Sequence, residues 1–308
     1  MNLFKQSLLG LYQTATAGSR LRRLRGLAEE GRAPVTILFY HRVANTHPND
    51  WTMPVKLFRR QLDWLGERFD FVTLGEAQRR LSSGMSRRPA VAITFDDGYG
   101  ENCDAAIPML LEQGLPCTYF VSTRIVQDQS AFPHDLKAGV RLRPNTVAEI
   151  KQMADAGVEI GAHTRTHPDL GSSTEPDWLH NEIVGSIEDI EHWTGRRPRY
   201  FAFPFGQVHN LTPDAMRVAR DAGIEAICSA YGAYNLPERT SEELGPFHLR
   251  RVHADPEWVR FQNWMTFDAR KLAANDPIDD AEYLASVIEP SSDQPGTVSL
   301  PLAGVANG

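Results

Sequence analysis

The sequence has few cysteines and no long apolar run. Its three cysteines, Cys103, Cys117 and Cys228, are isolated among 308 residues. They are odd in number and lack metal-ligand spacing, which argues against a disulfide framework and against a cysteine metal site. A thiol-reducing compartment is the default expectation. No run of about 18 apolar residues occurs, so no membrane span is expected. Positive charge is not in excess either. The formal net charge is -7, which offers no footprint for nucleic acid. Internal repeats are lacking, and the length admits one large domain or two small ones.

The segment 1–32 holds Leu3, Phe4, Leu8, Leu9, Leu11 and Tyr12, followed by Arg20, Arg22, Arg23 and Arg25. Polar residues interrupt the apolar part, and the basic cluster follows it, unlike a secretory signal. Two readings stay open. One is a basic amphipathic helix in peripheral contact with an anionic membrane surface. The other is an ordinary helix packed on the domain. With no recognisable export signal, a cytoplasmic location is expected, with the inner membrane face as the alternative.

Two stretches carry chemistry. The first is Val91-Ala92-Ile93-Thr94-Phe95-Asp96-Asp97-Gly98-Tyr99. Its apolar, β-favouring run reads as a buried strand. It ends in two carboxylates and a glycine. Neighbouring strand residues point to opposite faces, so both carboxylates reach one site only through a turn, which Gly98 permits. In α/β proteins ligands bind beyond the carboxyl ends of strands. The second stretch is Glu159 to Pro168, with His163 and His167 four apart. On one face of a helical turn the two rings suit a single metal. No glutamate stands at 164, so the zinc-protease pattern is excluded. Asp97 with His163 and His167 makes a two-histidine, one-carboxylate set with coordination positions left open, as catalytic metal sites have.

These residues resemble the polysaccharide deacetylases, the NodB-homology or carbohydrate esterase family 4 group. Thr94 to Tyr99 is similar to the family's first motif, and His163-Thr164-Arg165-Thr166-His167 to its second. Phe201-Ala202-Phe203-Pro204-Phe205-Gly206 is similar to its third, in a form like that of the exopolysaccharide branch. Tyr40-His41 resembles the Tyr-His at the start of one branch of these deacetylases, and the likeness runs over 35–271. It implies a distorted, incomplete (β/α) barrel. It also implies one divalent metal, zinc first with nickel, cobalt or iron as alternatives, on Asp97, His163 and His167. Asp96 is then the general base, and the backbone N–H of Phe205 an oxyanion donor. A histidine near the last strand is the general acid; His253 is the first choice, with His248 and His41 as rivals. The commonest third motif carries an arginine that holds the catalytic aspartate. Ala202 stands there instead, so that motif supplies Asp96 with no charge partner.

The rest of the chain fits an α/β class. Strands are expected at Val35–Tyr40, Cys117–Val121, Val158–Ala162, Arg199–Phe203, Ile224–Cys228 and Phe247–Val252, alternating with helices. Val55, Phe58, Leu62, Leu65 and Phe69 recur at helical spacing. Thr73 with Glu76, and Thr146 with Glu149, form capping-box patterns. Residues 124–145 show no clear period and read as a substrate-facing loop or a surface insertion. Three segments result: 1–32, a deacetylase-like domain at 33–271, and a Pro/Ser-rich acidic tail at 272–308, expected to be largely disordered. The expected activity is metal-dependent removal of N-acetyl groups from N-acetylhexosamine units of a polysaccharide or glycan precursor. An O-acetyl esterase acting on a glycan and a glycan-binding pseudoenzyme are the alternatives.

Overall fold

The computed structural model describes residues 3–232, 234–237, 246–271 and Val287. The tail expected at 272–308 lies outside the described residues apart from Val287. The strands, in chain order, are β1 Val35–Tyr40, β2 Arg42–Val43, β3 Thr52–Met53, β4 Asp70–Phe71, β5 Ala90–Phe95, β6 Cys117–Val121, β7 Glu159–Ala162, β8 Tyr200–Ala202, β9 Ala226–Cys228, β10 His248–Leu249 and β11 Arg251–His253. The helices are α1 Leu3–Glu29, α2 Val55–Gly66, α3 Leu74–Ser82, α4 Ala106–Glu112, α5 Thr123–Asp128, α6 Pro133–Lys137, α7 Val147–Asp155, α8 Pro176–Thr194, α9 Pro213–Asp221 and α10 Trp258–Met265.

The main sheet runs β10-β9-β8-β7-β6-β5-β1-β11, and the short β4 pairs with β5. Every pairing in it is parallel. The two ends of the row are β10 and β11, which follow each other in the chain. The sheet is therefore nearly closed into a barrel. The expected strand at Phe247–Val252 is split in two at Arg250. Asn235 stitches this break: its side chain donates to the carbonyls of Val35 and Arg250 and accepts from the Arg250 N–H.

Alternation along the strands sorts the core into two parts. Residues such as Val35, Ile37, Ala92, Phe120, Tyr200, Ala202, Ala226 and Cys228 cluster inside the barrel. Their neighbours, among them Leu38, Ile93, Tyr119, Ile160 and Phe201, pack outward against the helices. The interior is tight: a Cβ at Gly161 would collide with the Phe120 ring. On the outside, α8 buries Leu179, Ile183, Ile187 and Ile190, each contributing about 1.5–3 kcal/mol through burial. Both expected caps form. Thr73 accepts from the Glu76 N–H at the start of α3, and Thr146 and Glu149 make a reciprocal box on α7. Pro108 stands in the first turn of α4, where its missing N–H leaves no bond unmade.

Residues 124–145 are not a plain loop. They contain most of α5 and all of α6. The segment 1–32 contains α1, whose apolar residues are not gathered on one face. This helix packs on the domain. The buried Arg20 donates to Asn263, Gln13 bonds Gln262, and Tyr12 bonds Asp268. Leu24 joins Tyr234, Leu236 and Phe267 in a small core, and Arg23 lies over the Phe267 ring at 5.1 Å. Part of the basic cluster is thus spent on the protein's own surface, which does not support a membrane-facing role. Among the described residues, no helix is long and apolar enough to cross a membrane.

Candidate active site

The site lies at the carboxyl ends of the strands: His41 follows β1, Asp96 and Asp97 follow β5, His163 and His167 follow β7, and Phe205 lies in the turn after β8. Asp96 continues the ladder of β5, its N–H donating to the Tyr40 carbonyl at 2.9 Å. The chain then reverses at Asp97 itself. Asp97 has φ 76°, and the Gly98 N–H closes back on the Asp96 carbonyl at 2.9 Å. This i→i+2 closure around a positive φ is a γ-turn, a strained form. The same device recurs after β8, where Phe205 has φ 59° and the Gly206 N–H bonds the Pro204 carbonyl at 2.6 Å. Such strain is held only where the surroundings over-determine it. Around Asp97 they do: its carbonyl accepts from Ser122, and the Gly98 carbonyl accepts from Asn145.

His163 and His167 do not share a helical turn. Residues 163–167 form an irregular loop with Thr164 at φ 64° and His167 at φ 60°. A β-branched residue at positive φ is rare. Here Thr164 caps the bend, accepting from the His167 N–H at 3.0 Å. The buried Glu182 of α8 holds the loop from behind. Its carboxylate accepts from the N–H groups of Arg165 and Thr166 at 3.1 and 2.9 Å and from the Thr166 hydroxyl at 2.9 Å. Arg165 is also clamped, by Asp189 on the same helix.

The loop brings Asp97, His163 and His167 together, with one ligand atom from each lying within 4.8 Å of the others. Nε2 of His163 and of His167 stand 3.4 and 3.2 Å from Asp97 Oδ1. That oxygen is buried and accepts no hydrogen bond, an expensive state for a carboxylate unless a cation takes it up. His163 Nδ1 lies 2.7 Å from the Ala202 carbonyl. Nδ1 thus carries the proton and Nε2 presents its lone pair, the arrangement that orients a metal-bound histidine. The donor set fits a divalent metal.

Asp96 has a charge partner, and it comes from β11. Arg251 grips the carboxylate with both ends of its fork, at 2.6 Å to Oδ1 and 2.8 Å to Oδ2. The guanidinium is fully buried. It also donates to Thr94 Oγ1 and the Ser229 carbonyl, and it lies 5.0 Å from the Phe39 ring and 5.3 Å from the Phe120 ring. Ala202, at the motif position where an arginine was looked for, is buried in the inward-facing cluster. Burial would raise Asp96, but Arg251 first, with the His163 and His41 rings, keeps the carboxyl below its ordinary value.

A cleft of about 380 Å³ opens over these groups, lined in part by His41, Trp51, Asp96, Asp97, His134 and Phe205. His41 Nδ1 is buried and has no hydrogen-bond partner. Burial pulls this ring toward its neutral form, against the pull of the two aspartates. His253 is not among the lining residues. It meets two of them edge-on, 6.4 Å from the His41 ring and 5.3 Å from that of Trp51, and burial pushes it down to about 4. His248 does not line the cleft either and sits at the start of β10 near Tyr231. Among the described residues no acceptor bonds the Phe205 N–H.

The family model for polysaccharide deacetylases matches residues 83–227, which span Asp96, Asp97, both histidines and Phe205. This stretch of the chain belongs to the polysaccharide deacetylase family. Its relatives include YxkH of Bacillus subtilis (strain 168), 26% identical over 230 residues and 74% of either chain. A chitooligosaccharide deacetylase of Bradyrhizobium sp. (strain ANU 289) is 29% identical over 153 residues, 49% of this chain and 60% of that one. Two solved structures share the fold of this deacetylase-family chain. The Streptococcus pyogenes deacetylase PplD aligns at TM-score 0.63 and 21% identity, covering 77% of this chain and 99% of its own. IcaB from Ammonifex degensii aligns at 0.63 and 22% identity, covering 76% and 97%.

The sequence left Trp51, Glu182, Gln207 and Arg251 unassigned. Only Arg251 left a trace there. It stands two residues before His253 and so on the same face of a strand, but the adjacent Arg250 hid which of the two turned inward.

Proposed function

We propose that this protein is a metal-dependent hydrolase that removes N-acetyl groups from hexosamine units of a polysaccharide, of the exopolysaccharide type. The observation that carries the reading is the pairing of two unlike carboxylates at one strand end. Asp96 is neutralised by Arg251, and Asp97 faces two histidine nitrogens with an oxygen left free. Two relatives support the substrate class, the chitooligosaccharide deacetylase and a peptidoglycan-N-acetylglucosamine deacetylase of Bacillus cereus.

Asp97, His163 and His167 would hold the metal. When bound, it supplies Lewis acidity toward the acetyl carbonyl and lowers the pKa of a water. Zinc, nickel, cobalt and iron all suit two imidazoles and a carboxylate. Asp96 stays ionised through Arg251 and takes the proton of the attacking water. The Phe205 N–H donates to the oxygen that gains charge. The amine must leave with a proton; Asp96 has taken one from the water, and His41, the histidine that lines the cleft, is placed to pass a proton on to the amine in place of His253. Acetate release from N-acetylglucosamine oligomers and from acetylxylan, with and without added zinc or cobalt, tests the reading. Metal-dependent release from the amide substrate supports it. Release from acetylxylan alone would make the protein an O-acetyl esterase. Glycan binding without release from either would make it a binder.

A further inference from the structure

We propose that Trp51 and Phe205 are stacking platforms for sugar rings on opposite sides of the reacting acetyl group, so that the substrate is an interior unit of an uncharged glycan chain. This rests on the deacetylase reading above. Large exposed apolar side chains are few among the described residues. Of these only Trp51, 48% exposed, and Phe205, 56% exposed, are aromatic. Both line the one cleft that holds the aspartates and histidines. Trp51 lies on the His41 side, its ring 4.7 Å from that imidazole. Phe205 lies on the metal-ligand side, 5.2 Å from the His167 ring. The reacting centre is therefore flanked by two open aromatic faces, which suit the apolar faces of successive pyranose rings.

The Trp51 platform is built. The buried Arg42 spends its guanidinium on the loop that carries it, donating to the carbonyls of Thr46 and His47 and to the hydroxyls of Thr46 and Thr52. It also pairs with Glu101 at 3.0 Å. A loop tied at this many points presents its aromatic at low ordering cost. Polar groups for sugar hydroxyls stand beside the platforms. His134 is fixed by the Tyr99 hydroxyl at 2.9 Å, which also donates to the buried Asp135 at 2.8 Å, and Gln207 lines the opposite part. No lysine or arginine is among the lining residues. Beyond the metal that Asp97, His163 and His167 would hold, an anionic glycan would find no cation among the described lining residues, which is why the chain is assigned as uncharged.

The test is calorimetric binding of N-acetylglucosamine monomer through pentamer to the metal-loaded Asp96→Asn protein, so that turnover is not needed. The expected result is affinity rising with length, with the pentamer at least about tenfold tighter than the monomer. Trp51→Ala loses most of that gain, on the order of tenfold for one aromatic face no longer covered, and Trp51→Phe restores it. Monomer and pentamer binding equally, or Trp51→Ala binding the pentamer as tightly as its parent, overturns the proposal, as does tighter binding of polygalacturonate. Thermal melting of each variant separates lost contact from lost fold. Acetate release by the wild type, read in parallel, keeps the two readings apart. Length-dependent binding without release defeats the deacetylase reading and leaves the platforms. Release without a length dependence does the reverse.

Discussion

Replacing Arg251 with methionine tests how this chain does without an arginine in its third motif. The guanidinium is fully buried and makes two short bonds to Asp96, with further bonds to Thr94 and Ser229. Methionine keeps much of the volume but leaves a buried carboxylate without its cation. Breaking a buried pair from one side costs about 3–5 kcal/mol, a large share of the 5–15 kcal/mol typical of a domain. The sign of the catalytic effect follows from the same contact. Arg251 holds the Asp96 carboxyl below its ordinary value against burial. Without the arginine the carboxyl rises, so the acid limb of the kcat/KM profile moves to higher pH. Urea unfolding of the single variants Arg251→Met and Asp96→Asn and of the double variant gives the coupling directly. The double variant, with both charges gone, should recover most of the loss. Arg251→Lys should recover only part, since an ammonium lacks the two-pronged fit. A single-variant cost below about 1 kcal/mol, with the acid limb unmoved, would refute the assignment of Arg251 as the partner that tunes the base.

Other consequences are open to measurement. Asp97→Ala and His163→Ala should each abolish stoichiometric metal binding in equilibrium dialysis. Glu182→Gln should weaken metal affinity by about 10–100-fold in a chelator competition, because Glu182 shapes the loop behind the histidines. His41→Gln should lower kcat by about 10²–10⁴-fold, whereas His253→Gln should affect kcat far less. On the proposed reading His253 acts on stability rather than on turnover. Burial lowers it from 6.5 to about 4, so the unfolded chain takes up a proton that the folded one refuses as pH falls through that window. The fold should lose stability between pH 6.5 and about 4, and His253→Gln should flatten that part of the curve in pH-dependent unfolding.

Much of this architecture is legible in the sequence because strand and helix signals are local. The alternation of β-rich runs with capped helices, such as the one opened by Thr146 and Glu149, is enough for a parallel α/β sheet. Asp96, Asp97, His163 and His167 are legible because each sits at or just past a strand end. What the sequence hides is how the chain turns there. Gly98 marks a turn, yet the strained residue is Asp97 itself. The four-residue spacing of the histidines resembles a helical turn, but Thr164 and Glu182 hold it in an irregular loop. The Asp96 partner is hidden for a different reason. Asp96 and Arg251 lie far apart in the chain and meet only when the barrel closes, and no short-range pattern encodes that meeting. The same closure puts His41 and Trp51 on the cleft wall and leaves His253 off it, an arrangement that linear spacing does not contain.

The central claim is that Asp96 and Asp97 have separate tasks, one catalytic and one metal-binding. The most direct measurement is acetate release from N-acetylglucosamine oligomers by metal-loaded wild type and Asp96→Asn, with bound metal counted in the same samples. The account predicts about one equivalent of metal in both proteins, release by the wild type and none by the variant. Equal release by both, or loss of the metal from Asp96→Asn, would contradict it.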